Sequence, residues 1–190
     1  SPSSRWLCCH RASGADPGWK HAAQPGRGRA VRERGTREGR RQVHLYRSSM
    51  VDIGCGTAVL AMAAARIWPN PVLASDIDQV AVAVAQENVI ANGLEGCVTC
   101  LEATGFDHLT LTKAAPFDLI FANILKGPLI ALAPDISRHI TDTGHVILSG
   151  LLNEQATDVL AVYRDQGLQS IRHQEIGEWT TLTLSKNTTR

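Results

Sequence analysis

The stretch "MVDIGCGTAVLAMAAARIW", residues 50–68, places Gly54 and Gly56 between a short apolar run and a long alanine-rich run. This order predicts a β-strand over residues 50–53, a glycine-rich turn and a helix over residues 57–68. A turn of this kind, between the first strand and the first helix, lets a ligand approach the backbone closely at the carboxyl edge of a parallel sheet. The stretch therefore predicts a ligand-binding turn at the start of an α/β domain.

Strand and helix signals alternate from residue 50 onward. The continuous apolar run "FDLIFANI" is typical of a strand buried on both faces, and Gly93 closes a predicted helix as its left-handed C-terminal residue. Strand followed by helix, repeated and closed by a hairpin-like pair, predicts a doubly wound α/β sheet. The other predicted strands are residues 70–77, 97–103, 144–151, 168–176 and 178–185, and the other helices are residues 79–92, 129–140 and 154–166.

The net charge of +1 hides a division between two parts of the chain. Residues 1–50 hold eleven Lys and Arg against three acidic residues, a net charge of +8, whereas residues 51–190 carry a net charge of −7. Because the early part has too few apolar residues to offset the entropy of folding, we expect residues 1–48 to be disordered or non-native. It also lacks the interleaved aromatic residues of a single-strand binding surface, so no specific nucleic-acid binding is expected.

Composition also bears on the compartment. No apolar run approaches the roughly 18 residues that a membrane span needs, so no membrane association is expected. No secretory signal is visible at the start of the sequence, so we expect a cytoplasmic protein with reduced thiols. Cys97 and Cys100 have a CxxC spacing, but residues three apart on a strand point to opposite faces. They are therefore predicted to be core thiols, and no metal site is predicted.

The residues around the glycine turn distinguish two classes of cofactor. A dinucleotide-binding turn with the pattern GxGxxG needs a third glycine where Val59 stands. Asp52 precedes the first glycine by two residues, and Ala58 stands where methyltransferases have their third glycine. A carboxylate at Asp52 repels a pyrophosphate but suits the positively charged methionyl end of S-adenosylmethionine. Asp52, Gly54 and Gly56 are therefore predicted to bind S-adenosylmethionine.

Asp76 ends the second predicted strand in "VLASDID". A carboxylate at this position can accept hydrogen bonds from both hydroxyls of an adenosine ribose, because it offers two acceptor oxygens and no donor. The alternative is a charge that favours the N-terminus of the next helix. We predict ribose binding for Asp76 and an N-cap role for Asp78.

Asn123, in "FANIL", ends the fourth predicted strand, where a doubly wound sheet opens its ligand crevice. Its side chain can accept a hydrogen bond from a target amine. This bond would direct the lone pair of the amine towards the sulfonium methyl group of S-adenosylmethionine. The alternative is a turn residue that satisfies its own backbone. Because Ile124 and Leu125 follow in place of Pro-Pro-aromatic, glutamine and nucleobase amides are disfavoured as targets.

Residues 51–185 resemble the ribosomal protein L11 methyltransferase family (PrmA). The resemblance lies in "DIGCGTAVLAMAAA", "LASDIDQVAVAVAQENVIANG", "PFDLIFANILKGPLIALAPDI", "VILSGLLNEQ" and "GEWTTLTL". The resemblance implies a Rossmann-like class I methyltransferase sheet. It also implies an enzyme that transfers methyl groups from S-adenosylmethionine to amino groups, of lysine or of the N-terminus, in a large-subunit ribosomal protein. It also implies cofactor contacts at Gly54, Asp76 and Asn123, and a catalytic domain over residues 49–190.

The chain departs from this family in two respects. Members have an N-terminal substrate-recognition domain, for which we see no room here, and a Gly/Thr/His-rich loop ahead of the first strand, which "RERGTREGRR" does not match. We therefore expect residues 1–48 to be non-native sequence, with a basic tail that binds ribosomal RNA phosphates as the alternative. Other readings of the function stay open: a methyltransferase for another protein or a small amine, or a catalytically impaired cofactor-binding fragment. Trp179 either lies beside the target or serves packing.

Overall fold

One sheet runs through the part of the chain that the computed structural model describes, residues 49–186. Its seven strands have the spatial order β3-β2-β1-β4-β5-β7-β6. The first five are parallel, and β7 inserts antiparallel between β5 and β6. The strands are β1 Met50–Ile53, β2 Val72–Asp76, β3 Val98–Glu102, β4 Phe117–Asn123, β5 Ile140–Leu152, β6 Leu168–Ile176 and β7 Trp179–Lys186.

Helices cover both faces of this sheet, which confirms the predicted doubly wound α/β fold. They are α1 Val59–Ile67, α2 Gln79–Ala91, α3 Leu109–Ala114, α4 Lys126–His139 and α5 Ala156–Asp165. Buried side chains of α1 and α2 form one apolar cluster with the sheet, and those of α3, α4 and α5 form the other. None of the helices between residues 49 and 186 is long and apolar enough to cross a membrane.

Local sequence explains the start and end of α2 and the close packing of α1 on the sheet. The side chain of Asp78 accepts a hydrogen bond from the N–H of Val80 and caps α2, as predicted. Gly93, with φ of +65°, follows the end of α2 in the left-handed conformation, which also agrees with the sequence. In α1, Ala61, Ala64 and Ala65 are buried, and their small side chains let the helix pack closely on the sheet.

Three elements differ most from the sequence-based expectation, and the bounds of the others differ by at most two residues. Helix α3 is absent from the prediction, because its six residues are too few to show a period. Helix α4 begins three residues before the expected position, since Pro128 lies in its first turn, where no backbone N–H is needed. Strand β5 begins at Ile140 and not at Gly144, because Ile140 already pairs with Phe117 of β4.

The two cysteines of the CxxC spacing lie in the apolar cluster beside α1 and α2. Cys97 is 1% exposed, and Cys100 is partly buried against the same cluster. Burial raises the pKa of the Cys100 thiol above its ordinary value, which disfavours the reactive thiolate. Their placement agrees with the prediction that both serve as core thiols.

Candidate functional site

A crevice lies beside β1 and β4, at the carboxyl edge of the sheet. Strands β2 and β3 extend from β1 in one direction, and β4 and β5 extend in the other. Ile53 pairs with Ala122 in register, so the loops that follow β1 and β4 leave the sheet side by side. This is the topological switch point at which doubly wound sheets bind their ligands.

A cavity of about 510 Å³ opens at this edge. Its volume lies within the range of about 300–1,000 Å³ that is typical of small-molecule sites. Apolar side chains and glycines form most of the walls, with Asp76 and Thr104 as polar exceptions. The lining residues are Ile53, Gly54, Asp76, Ile77, Ala103, Thr104, Gly105, Ile124, Leu125, Pro128, Ala131 and Leu132.

The glycine turn needs each of its glycines for a different reason. A Cβ atom on Gly54, whose φ is +68°, would lie 2.3 Å from Cγ2 of Ile124, so no other residue fits without displacing that side chain. Gly56 has free space around it, and its φ of +52° is the reason for glycine there. Ala58, at the place of the third glycine, also has a left-handed φ of 60°. The alanine therefore adopts a backbone conformation that glycine adopts at lower cost.

The carboxylate of Asp76 connects the glycine turn to the second strand. Its Oδ2 atom accepts a hydrogen bond from the N–H of Gly56 at 2.9 Å, and its Oδ1 atom accepts one from the N–H of Asp78 at 3.0 Å. The side chain is partly exposed and lines the cavity. Each carboxylate oxygen has a second lone pair, so the group can still accept hydrogen bonds from a ligand.

Asp52 lies beneath the turn, and its side chain is not part of the cavity wall. The residue is 1% exposed, and its Oδ2 atom accepts a hydrogen bond from the N–H of Ala61 at 3.1 Å, near the start of α1. Among the described residues, its Oδ1 atom has no partner. Burial, together with the nearby charge of Asp76, raises the pKa of Asp52 to about 6. A buried, partly unsatisfied carboxylate favours a positive charge in its neighbourhood.

Asn123 is the last residue of β4, and its side chain is exposed at the carboxyl edge. A Cβ atom on Gly150 of β5 would lie 2.7 Å from Oδ1 of Asn123, so Gly150 makes space for this amide. Within residues 49–186, the Asn123 side chain makes no hydrogen bond. The turn alternative required a bond to its own backbone, and the described chain contains no such bond.

The structure brings the predicted residues to one edge but gives them different positions. Gly54 and Asp76 line the cavity, whereas Asp52 and Gly56 support its wall and Asn123 lies outside it. Sequence reasoning missed Ile124 and Gly150, which touch Gly54 and Asn123. A glycine inside the strand-like run "VILSGLL" signals a close approach, and this signal could have indicated Gly150.

Two other features of the described chain lie outside this crevice. Residues 49–186 contain no cluster of three His, Cys, Asp or Glu side chains that could hold a metal ion. A second cavity, of about 810 Å³, opens at the opposite, amino edge of the strands, where Ser49, Met50 and Phe117 lie. None of the predicted site residues lines it.

Comparison with known proteins gives the family. The model of the family described as "Ribosomal protein L11 methyltransferase (PrmA)" matches residues 40–187. The chain belongs to this family. It is 46% identical over 140 residues to the ribosomal protein L11 methyltransferase of Brucella abortus (strain S19), across 73% of this chain and 48% of that relative. The resemblance predicted from the sequence is confirmed, and the chain spans about half the length of the curated relatives it matches.

Solved structures agree on the fold. The ribosomal protein L11 methylase of Lactobacillus delbrueckii subsp. bulgaricus superposes with a TM-score of 0.68 at 28% identity, over 76% of this chain and 72% of that chain. TrmK of M. capricolum, solved with S-adenosyl-homocysteine, gives 0.58 at 16% identity, over 74% of this chain and 62% of its own. At that identity only the fold is shared. The predicted class I methyltransferase sheet is therefore confirmed.

Proposed function

We propose that residues 49–190 are the catalytic domain of a methyltransferase that uses S-adenosylmethionine and acts on amino groups of a ribosomal protein. The observation that carries this proposal is the placement of the Asp76 carboxylate. This carboxylate lines an apolar cavity at the switch point of the sheet and is hydrogen-bonded to the glycine turn at Gly56. An acceptor-only group beside a close-approach turn suits an adenosine ribose.

The cofactor fits the residues that are present. Asp76 would hold the ribose hydroxyls, and the apolar residues Ile77 and Leu132 would flank the adenosine. Gly54 and Gly56 would let the methionyl portion approach the backbone of the turn. The unpaired Oδ1 atom of Asp52 favours the positive charge of that portion from beneath. When bound, S-adenosylmethionine supplies an electrophilic methyl group on a positively charged sulfur.

The chain's own residues then position the acceptor. Oδ1 of Asn123 accepts a hydrogen bond from the incoming amine, which fixes the direction of the nitrogen lone pair. The apolar side chains of Leu125 and Pro128 line the cavity and would be covered by a bound cofactor and acceptor, which would reduce the water around the reacting atoms. A lysine amine must lose its proton before it attacks, and we assign that proton to water and to no side chain of the site.

The substrate assignment rests on the family. Its description and the names of the relatives specify ribosomal protein L11, and we extend this to the present chain as a proposal, because the chain spans about half of those relatives. Lysine or N-terminal amines as acceptors, and a cytoplasmic location, stay predictions. The expected disorder or non-native origin of residues 1–48 concerns residues outside the described part of the chain.

Two measurements on the full chain test the proposal. Calorimetry should show tighter binding of S-adenosylhomocysteine than of NAD, and the reverse order would refute the cofactor assignment. Tritium transfer from labelled S-adenosylmethionine to ribosomal protein L11, with enzyme in excess over substrate, should then label that protein. Binding without transfer to any amine would support the alternative of a catalytically impaired cofactor-binding fragment.

A further inference from the structure

The tip of the β6–β7 hairpin lies at the same edge of the sheet as Asn123. Trp179 begins β7 and pairs with Leu152, at the carboxyl end of β5, whose Ser149 pairs with Asn123. Trp179 is 58% exposed, and Ile176, across the turn, is 68% exposed. Large apolar side chains that remain exposed next to a ligand crevice are candidates for contact with a partner.

Besides the pairing of β7 with β5, Asn153 connects this hairpin tip to the rest of the fold. Its Nδ2 atom donates a hydrogen bond to the carbonyl of Gly177 at 3.0 Å, and its Oδ1 atom accepts one from Oγ1 of Thr180 at 2.8 Å. Its backbone N–H donates to the carbonyl of Glu178 at 3.0 Å. These three bonds reach both residues of the turn and the second residue of β7.

The hydrogen-bond ladder between β5 and β7 is interrupted next to Asn153, so the bonds of Asn153 matter more for the position of the hairpin tip. The pairing of β5 with β7 shifts register between Leu148 and Leu151, so regular backbone bonds are lost just before the tip. Thr180 is 1% exposed, and its hydroxyl needs the acceptor that Asn153 provides. Without the Asn153 side chain, the orientation of the tip depends on the backbone bond from Asn153 to Glu178 and on two register pairs beyond an irregularity.

Trp179 lies within reach of a segment that carries the acceptor amine. Strands β4 and β7 are separated only by β5, so the two strands lie about 10 Å apart. Leu152, the partner of Trp179, also lies three residues beyond Ser149 along β5, which adds about 10 Å in the strand direction. The two displacements combine to about 14 Å, which an extended chain spans in roughly four residues. A substrate segment whose amine is at Asn123 would therefore pass Trp179 with a residue close in sequence to the acceptor.

We propose that Asn153 is a positioning residue for the methyl acceptor: it fixes the β6–β7 tip so that Trp179 forms a wall for the segment that carries the target amine. This inference rests on the proposed function. Asn153 acts through the hairpin, and it contacts neither the cavity of about 510 Å³ nor Asp76. Its loss should therefore affect acceptor transfer and leave cofactor affinity unchanged.

The first test measures the hairpin itself. In the full chain, Trp6, Trp19 and Trp68 are replaced by Phe so that Trp179 is the only tryptophan. Asn153→Ala should at least double the amplitude of the nanosecond component of the Trp179 anisotropy decay, because the tip gains freedom. Asn153→Asp, which keeps the acceptor for Thr180, should give an intermediate value. If the anisotropy decay of Trp179 is unchanged in Asn153→Ala, the proposal that Asn153 fixes the β6–β7 tip is refuted.

The second test measures transfer and binding in the natural tryptophan background. Asn153→Ala should lower the single-turnover transfer rate to ribosomal protein L11 by tenfold or more, with less than a twofold change in the affinity for S-adenosylhomocysteine. The control is Asn92→Ala, which removes a similar amide with bonds to Asn88 and Arg66 far from the hairpin. Equal losses of rate and affinity, or equal effects of the control, refute the positioning role. A wild-type chain without transfer refutes the proposed function and the acceptor role together, whereas the anisotropy result stands by itself.

Discussion

Gly54 and Ile124 are in such close contact that a Cβ atom on the glycine would lie 2.3 Å from Cγ2 of the isoleucine. The contact joins the loop after β1 to the loop after β4, and both residues line the cavity. The absence of a side chain at Gly54 therefore sets how closely the two loops approach at the switch point. The cavity wall depends on this contact as much as on the backbone freedom of the glycine.

Substitution of the two turn glycines should separate sterics from backbone strain. Gly56→Ala should cost only the strain of a left-handed alanine, about 1–2 kcal/mol in the free energy of unfolding. Gly54→Ala adds overpacking against Ile124, which costs a further 1–3 kcal/mol or so. Urea unfolding of both variants measures the difference. The double change Gly54→Ala with Ile124→Ala should recover part of the added cost, and no recovery would contradict the steric argument.

Asp76 and Asp78 offer a matched pair for the cofactor assignment. Asp76→Ala should weaken S-adenosylhomocysteine binding by about 1.5–3 kcal/mol, because charge-assisted hydrogen bonds to the ligand are lost. Asp78→Ala removes the cap of α2, which lowers the free energy of unfolding by roughly 1 kcal/mol and leaves affinity unchanged. Calorimetry and urea unfolding provide the two readouts. Equal affinities for the two variants would reduce Asp76 to a helix-terminal charge.

Asp52 should make the stability of the ligand-free chain depend on pH. Burial raises its pKa from 3.8 to about 6 in the folded state, so the unfolded chain loses this proton first as the pH rises. The contribution of protonated Asp52 to the free energy of unfolding is fully present below about pH 4. As the pH rises through 6, this contribution is lost, and the free energy of unfolding falls by roughly 3 kcal/mol.

Asp52→Asn tests this dependence, because it stays neutral and can still accept the bond from Ala61. Its stability should equal that of the wild type near pH 4 and exceed it above pH 6, as measured by urea unfolding across that range. Parallel pH profiles for the two proteins would show that Asp52 has an ordinary pKa in the folded chain.

Asn123→Ala should lower the rate of methyl transfer more than the affinity for cofactor. The amide lies outside the wall of the cavity, and Gly150 leaves its Oδ1 atom room at the edge. A group that orients the acceptor acts on the rate, whereas a group that holds the cofactor acts on affinity as well. Single-turnover transfer and calorimetry on the same preparation compare the two. Proportional losses would assign Asn123 to cofactor binding alone.

The sequence predicts most of this fold because the informative patterns are local. Each of the seven strands shows an apolar or alternating run, and Asp78 and Gly93 carry the signals that begin and end α2. The short helix α3 was not predicted, because six residues are too few to show a helical period of apolar residues. For the site, the sequence indicates which strand ends carry Asp76 and Asn123.

The contacts within the site depend on tertiary packing that no local pattern records. Gly54 meets Ile124, and Asn123 meets Gly150, only because β1, β4 and β5 are neighbours in the sheet. The burial of Asp52 beneath the turn likewise follows from the packing of α1 on the sheet. The roles of these residues in binding and transfer stay predictions.

The neighbouring position of β1 and β4 also bears on how the protein is made. Residues 50–53 pair with residues 119–122, far later in the chain. During synthesis, the first strand therefore waits with one edge unpaired until the ribosome has released the fourth, and no crevice exists before then. Pairings between such distant segments form slowly and leave strand edges open to wrong partners. A nascent chain halted before β4 should thus be open to proteases and chaperones, whereas one released past Asn123 can close this edge.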